Sequence, residues 1–170
     1  MIEAQLSVLK AMSEVKGRLD LNEFAQIVGL SPNQTVESMQ ELVKADLLRK
    51  IGGGYSITET GKAMLKAFTP VTKGKEFHFY FALDQPAGLI AKSFWDFYRT
   101  VKLISAGSLE FHLKRGDFEK WTSKTLNDPE FAENLTQLKR TELKGEKLRK
   151  AIIKAAEATH GLEKLRQYNE

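Results

Sequence analysis

Apolar residues at Ile2, Leu6, Leu9 and Met12 recur at steps of three and four, so the spacing predicts a helix from Ile2 to about Val15 that Gly17 ends. A second, shorter helix is predicted with Asp20 or Asn22 as its cap, Phe24, Ala25, Ile27 and Val28 turned to a core, and Gly29 at its close. Ser31 followed by Pro32 reads as a cap and a first helical residue. The helix they open, to about Ala45, is expected to bury Val36, Met39, Leu42 and Val43 and to leave Asn33, Gln34, Glu37, Ser38, Gln40, Glu41 and Lys44 outside. Leu47 to Ile51 and Tyr55 to Thr58 then read as two short strands joined by Gly52-Gly53-Gly54. Thr58 or Thr60 starts a further helix through Ala63, Met64, Leu65 and Phe68, which Pro70 ends.

The pattern changes after a connector at Thr69 to Lys75. Phe77, Phe79 and Phe81 alternate with His78 and Tyr80, a strand with one aromatic face that packs a core or, less in keeping with its neighbours, stacks bases. Asp84 to Gly88, containing Pro86, reads as a turn, with Leu89 to Ala91 pairing back. Helices are predicted from Ser93 through Phe94, Phe97, Tyr98, Val101 and Leu103, across Ser108 to Gly116, from Asp117 with Trp121 buried, from Asp128-Pro129 through Phe131, Leu135 and Leu138, and from Gly145 to about Thr159. In the last, Leu148, Ile152, Ala155 and Ala156 form the apolar stripe. Leu162, Leu165 and Tyr168 follow at three-residue steps in a tail that supports dimer contacts or frays, and no heptad-length seam accompanies them.

Two helices joined by a Gly-containing turn make a helix-turn-helix, and the hairpin behind them is placed as a wing. The run LNEFAQIVGLSPNQTVESMQELVKADLLRK, followed by GGGYSITETGKAML, resembles the winged helix-turn-helix of archaeal and bacterial transcription regulators over the first 68 residues. The resemblance implies that the third helix enters a major groove and the hairpin touches neighbouring backbone. Asn33, Gln34, Thr35 and Ser38 on that helix are then the expected contacts to bases or phosphates, with Arg49 and Lys50 at the base of the wing. Residues 76 to 158 are similar to an archaeal domain of unknown function with the signature S-L-E-F-H-x-x-R-G-D-F-E-x-W, here Ser108 to Trp121. That resemblance implies an archaeal source and brings no known activity. The expected fold is thus α+β, mostly α: a winged helix-turn-helix over 1–69, a small α-rich domain with a short β hairpin over 76–160, and a tail at 161–170.

Charge sharpens the picture. The chain carries 26 Lys and Arg against 22 Asp and Glu, yet residues 1 to 70 hold eight of each, so the whole excess lies in the second part. Its densest stretch, 139 to 154, has seven bases against Glu142 and Glu146. Lys147, Lys150 and Lys154 stand on one solvated helix face, a row that contacts phosphates without reading sequence, or that simply keeps a helix soluble. The neutral first part, with Glu37 and Glu41 on its third helix, leaves open a winged helix that docks on protein instead of DNA.

Catalytic chemistry finds little support. No cysteine is present, which excludes disulfides, cysteine-based zinc sites and thiol nucleophiles. Neither a phosphate-cradling Gly-rich run nor a nucleophile elbow nor a His-Glu-x-x-His motif occurs. Glu110, His112 and Asp117 are residue types that bind metal or move protons, but Glu110 and His112 are two apart and share no helix face. The expectation is that Ser108 and Asp117 cap helices, His112 meets a buried partner and Arg115 pairs with an acid. Neither a signal core nor a run long enough to span a bilayer is seen, so a cytoplasmic protein without metal, cofactor or membrane partner is expected. The function expected is that of a non-enzymatic, nucleic-acid-associated regulator whose partner is duplex DNA, the alternative being an adaptor that docks on RNA or a protein complex such as the ribosome.

Overall fold

A computed structural model of the chain describes residues 2–16 and 19–162. The fold is α+β and mostly helical, with two small antiparallel hairpins among the described residues. The described chain divides into two compact units, one running to Lys66 and one from Ala67 to Leu162. Gly17, Leu165 and Tyr168, expected as a helix stop and as tail contacts, lie outside the described residues.

In the first unit α1 (Ile2–Glu14), α2 (Leu21–Val28) and α3 (Pro32–Lys44) precede β1 (Leu48–Ile51), β2 (Gly54–Ile57) and α4 (Glu59–Phe68), whose last two residues belong to the second unit. Local chemistry sets the boundaries. Asp20 caps α2 in a capping box with Glu23, and Gly29 ends that helix at φ 70°, where a side chain would be strained. Ser31 caps α3 in a second box with Gln34, and Pro32 fills the first turn, where its missing N–H costs nothing. Each such cap stabilises by about 1 kcal/mol. β1 and β2 pair from Leu48↔Ile57 to Ile51↔Gly54, leaving Gly52-Gly53 as a two-residue turn with Gly52 at φ 56°. Thr58 serves α4 as a cap, its hydroxyl accepting from Gly61 N–H at 2.9 Å and donating to Asp46 O at 2.6 Å.

Val8, Leu9, Phe24, Met39, Leu42, Leu48 and Met64 are buried in this unit. The expected inward position of Ile27 is corrected, since it is 57% exposed: α2 is only two turns long, and its buried side is taken by Phe24 and Ala25.

The second unit begins with β3 (Phe77–Ala82) and β4 (Gln85–Ala91), followed by α5 (Phe94–Leu103), α6 (Ala106–Arg115), α7 (Asp117–Lys124), α8 (Pro129–Arg140) and α9 (Gly145–His160). Phe97 is the hub of its core, with ring centroids 5.1 to 6.3 Å from those of Phe77, Phe79, Phe94, Phe118, Phe131 and Trp121. Such contacts add about 0.5–1.5 kcal/mol per pair beyond burial.

Three expectations are corrected here. The hairpin turn is Leu83-Asp84, with Asp84 at φ 59°, and Pro86 lies within β4 opposite Tyr80. A two-stranded ribbon leaves an outer edge where a missing N–H is tolerated. Register shifts on both sides of Tyr80 break the alternation of β3, so Phe77 and Phe79 are buried while Phe81 is 49% exposed. Finally, α6 starts at Ala106 under the cap of Ser105, whose Oγ accepts from Ser108 N–H, so Ser108 is an interior helical residue and not a cap.

Candidate functional site

Of the four α3 residues expected to meet DNA, two are not at the surface. Thr35 is fully buried and Ser38 nearly so. They share a stripe with Met39 and Leu42, at steps i, i+3, i+4 and i+7, on the side of α3 that packs on α1 and α2. A threonine and a serine fit this stripe because their small side chains admit a neighbouring helix closely. The Thr35 hydroxyl also has a partner inside the helix, donating to Ser31 O at 2.8 Å. Gln34 is exposed, but its Oε1 is held in the capping box by Ser31 N–H at 3.0 Å.

The solvent face of α3 is therefore Asn33, Glu37, Gln40 and Lys44. Glu41 is drawn off that face, accepting from Gln5 Nε2 at 2.6 Å, and Gln5 is itself buried. One acid, Glu37, is thus left among the exposed groups. In the hairpin Arg49 and Lys50 are both exposed, opposite Ser56 and Tyr55, and Lys50 Nζ lies 5.8 Å from the Tyr55 ring centroid. Consecutive strand residues leave a ribbon on opposite faces, so the two cations do not act as one patch.

Lys147, Lys150 and Lys154 are exposed along α9, while its nearest acids are engaged. Glu146 pairs with Arg149, and Glu157 accepts from Tyr98 Oη at 2.6 Å. Arg149, by contrast, is no surface cation: its side chain is 14% exposed and Nη1 donates to Val101 O at 2.6 Å.

The Ser108 to Trp121 segment is an internal brace. Ser108 Oγ donates to Tyr80 O at 2.6 Å, and Tyr80 N–H donates to His112 Nε2 at 2.8 Å. One turn of α6 thus covers both main-chain groups of the residue where β3 leaves its regular register. Asp117 does not cap α7, which has Gly116 at that place without a side-chain cap bond; its Oδ2 meets His112 Nδ1 at 2.8 Å and Arg115 Nε at 3.4 Å. The reason is Gly116, which at φ 77° ends α6 and starts α7 at once and so makes Asp117 the first helical residue. Glu110 points elsewhere, accepting Gly145 N–H at 2.9 Å at the start of α9. Trp121 Nε1 donates to Lys75 O at 2.8 Å. Burial holds the His112 imidazole below its ordinary pKa, against the opposing pull of Asp117, and burial raises the Glu119 carboxyl, whose Oε1 has no hydrogen-bond partner among the described residues.

Sequence reasoning passed over Lys120 and Lys124, whose spacing around Trp121 in EKWTSK places both on one helix face. Among the described residues, no group of three or more His, Cys, Asp or Glu side chains is arranged to hold a metal, and no helix is long and apolar enough to cross a membrane. Compared with protein-family models, curated proteins and solved structures, the chain matches none.

Proposed function

We propose that this is a non-enzymatic, nucleic-acid-associated protein that binds duplex DNA through its first unit, used as a winged helix-turn-helix. The observation that carries the reading is the succession of α2, a tight turn, an α3 opened by a capping box and a hairpin bearing Arg49 and Lys50. Ser31, Gln34 and Pro32 stiffen the amino end of α3, the end that enters a groove in this class of docking. Asn33 and Gln40 supply amides able to pair with base edges, and Lys44, Arg49 and Lys50 supply phosphate contacts. With so few cations the electrostatic share of affinity is small, and the reading is of modest affinity and weak salt dependence.

A second reading is favoured by one observation, the exposed Lys147, Lys150 and Lys154 on α9, without ion pairs among the described residues, in a chain whose first unit is neutral. On it the chain is an adaptor that holds RNA or a ribonucleoprotein through α9. The deciding test is a salt titration of full-chain binding to random duplex DNA. Asn33→Ala with Gln40→Ala, and Arg49→Ala with Lys50→Ala, should each weaken binding, the second pair lowering the log–log salt slope by about 2. If only Lys147→Glu, Lys150→Glu and Lys154→Glu weaken it, or if RNA is bound more tightly than DNA, the adaptor reading replaces the first.

A further inference from the structure

The second unit contains an open cleft of about 540 Å3, within the roughly 300–1,000 Å3 of small-molecule sites, that the nucleic-acid reading leaves unused. It lies between the turn of the β3–β4 hairpin and one face of α7, formed by Asp117, Lys120, Trp121, Lys124 and Thr125. Three cations border it. Arg115 is laid over the Phe111 ring, 5.0 Å from its centroid. Lys120 and Lys124 are exposed, four residues apart, and have no ion pair among the described residues. Like charges at that spacing repel, and an anion between them removes the repulsion.

The acids bordering the cleft offset only part of this and leave Lys120 and Lys124 without an ion pair among the described residues. Asp117 is shared between His112 and Arg115, and Asp84 sits in the hairpin turn at the far wall. Flat surface is supplied by Tyr80, Phe111 and Trp121, the last with its indole fixed by the bond to Lys75 O. We infer that this cleft binds a small organic oxyanion carrying a planar ring, with the phosphate or carboxylate among Arg115, Lys120 and Lys124 and the ring against Phe111 and Trp121. Cations bordering one cleft and an aromatic wall beside them match an anionic head on a flat body. His112, whose two nitrogens are both committed, fixes the wall and stays out of the binding.

The test is calorimetric titration of the full chain at low salt with four probes: adenosine monophosphate, indole-3-acetate, adenosine and inorganic phosphate. At least one of the two ring-bearing anions should bind with Kd of about 1 mM or tighter. Adenosine and phosphate alone should each bind at least about tenfold more weakly, a difference of about 1.4 kcal/mol. Lys120→Glu with Lys124→Glu should weaken the ring-bearing anion at least about tenfold, with the circular-dichroism spectrum and melting temperature kept. Lys120→Gln alone should give a smaller loss in the same direction. The triple Lys147→Glu, Lys150→Glu, Lys154→Glu variant should bind it as the parent does, which separates this site from the lysine row of α9. Failure of both ring-bearing anions to bind, equal binding by the lysine pair variant, or phosphate binding as tightly as adenosine monophosphate would overturn the inference.

Discussion

Tyr80 N–H donates to His112 Nε2 at 2.8 Å, and this single bond determines the state of the imidazole. A main-chain N–H only donates, so Nε2 accepts and the ring proton resides on Nδ1, which gives it to Asp117 Oδ2 at 2.8 Å. Protonation of Nε2 would set two donors against each other in a place where His112 is 2% exposed. The residue that most resembles a catalytic base is thus a clamp between β3, α6 and α7.

Removing the clamp should be costly. His112→Ala is expected to lower unfolding free energy by about 3 kcal/mol, combining a cavity with an orphaned N–H at Tyr80 and an Asp117 left with Arg115 alone. Ser108→Ala, which orphans only Tyr80 O, is expected to cost about 1–2 kcal/mol. Chemical denaturation of the two variants checks both numbers, and a His112→Ala cost below that of Ser108→Ala would refute the clamp.

The same geometry sets a pH dependence. Above the ordinary histidine value of 6.5 the imidazole is neutral in both folded and unfolded chains, and its buried bonds contribute in full. As the pH falls below 6.5 the unfolded chain takes up the proton first, because burial holds the folded value lower, so stability declines until the folded imidazole protonates too. The stability difference between the parent and His112→Gln, in which the other histidines cancel, should shrink on going from about pH 7 to about pH 5. A difference that grows on acidification would mean that the imidazolium is the buried form.

Elements whose signals lie within a few residues were legible in the chain: the caps at Asp20, Ser31, Ser93 and Asp128 each bond within three residues of themselves. What escaped sequence reading depends on partners far along it. Ser108 looks like a cap and the buried partner expected for His112 has no identity until Tyr80, 28 and 32 residues away, is brought beside them. Glu110 finds its role 35 residues away, at Gly145. Thr35 and Ser38 were read as surface residues because they are polar, although a helical stripe through Met39 and Leu42 passes through both. Polarity and periodicity conflict there, and close helix packing decides in favour of periodicity.

That reversal separates two classes of variant. Thr35→Val and Ser38→Ala touch no exposed group, so they should leave DNA affinity within about twofold of the parent at a temperature where both remain folded. Asn33→Ala, at the exposed start of α3, should leave stability within about 0.5 kcal/mol and alter binding alone. Thermal melts and anisotropy titrations run on the same preparations tell them apart. Loss of DNA affinity in folded Ser38→Ala would put that hydroxyl back on the interface.

Gly61 makes a different demand on the first unit. A Cβ at this position would lie 2.2 Å from Leu47 O and 2.8 Å from Ile57 Cγ1, so α4 rests on the chain entering β1 through a bare backbone. The nearest obstacle is a carbonyl, which cannot swing aside as a side-chain end does. Gly61→Ala, which ordinarily favours a helix by about 1 kcal/mol, should here destabilise by about 3 kcal/mol or more. A melting temperature unchanged or raised would mean that α4 stands farther from Leu47.

Arg149 and Lys150 are neighbours in the basic stretch and should behave oppositely. Arg149 is largely buried, donating to Val101 O at the carboxy-terminal end of α5 and to both Glu146 oxygens. Arg149→Ala removes a charge-assisted bond and packed methylenes together, for an expected loss of about 2 kcal/mol. Lys150 is exposed and has no such partner among the described residues, so Lys150→Ala should stay within about 0.5 kcal/mol in stability and act only on polyanion binding. Denaturation and heparin-column retention, measured on both variants, resolve the two properties. Were Arg149→Ala to lower retention without loss of stability, the residue would belong to the binding row and the tie to α5 would be incidental.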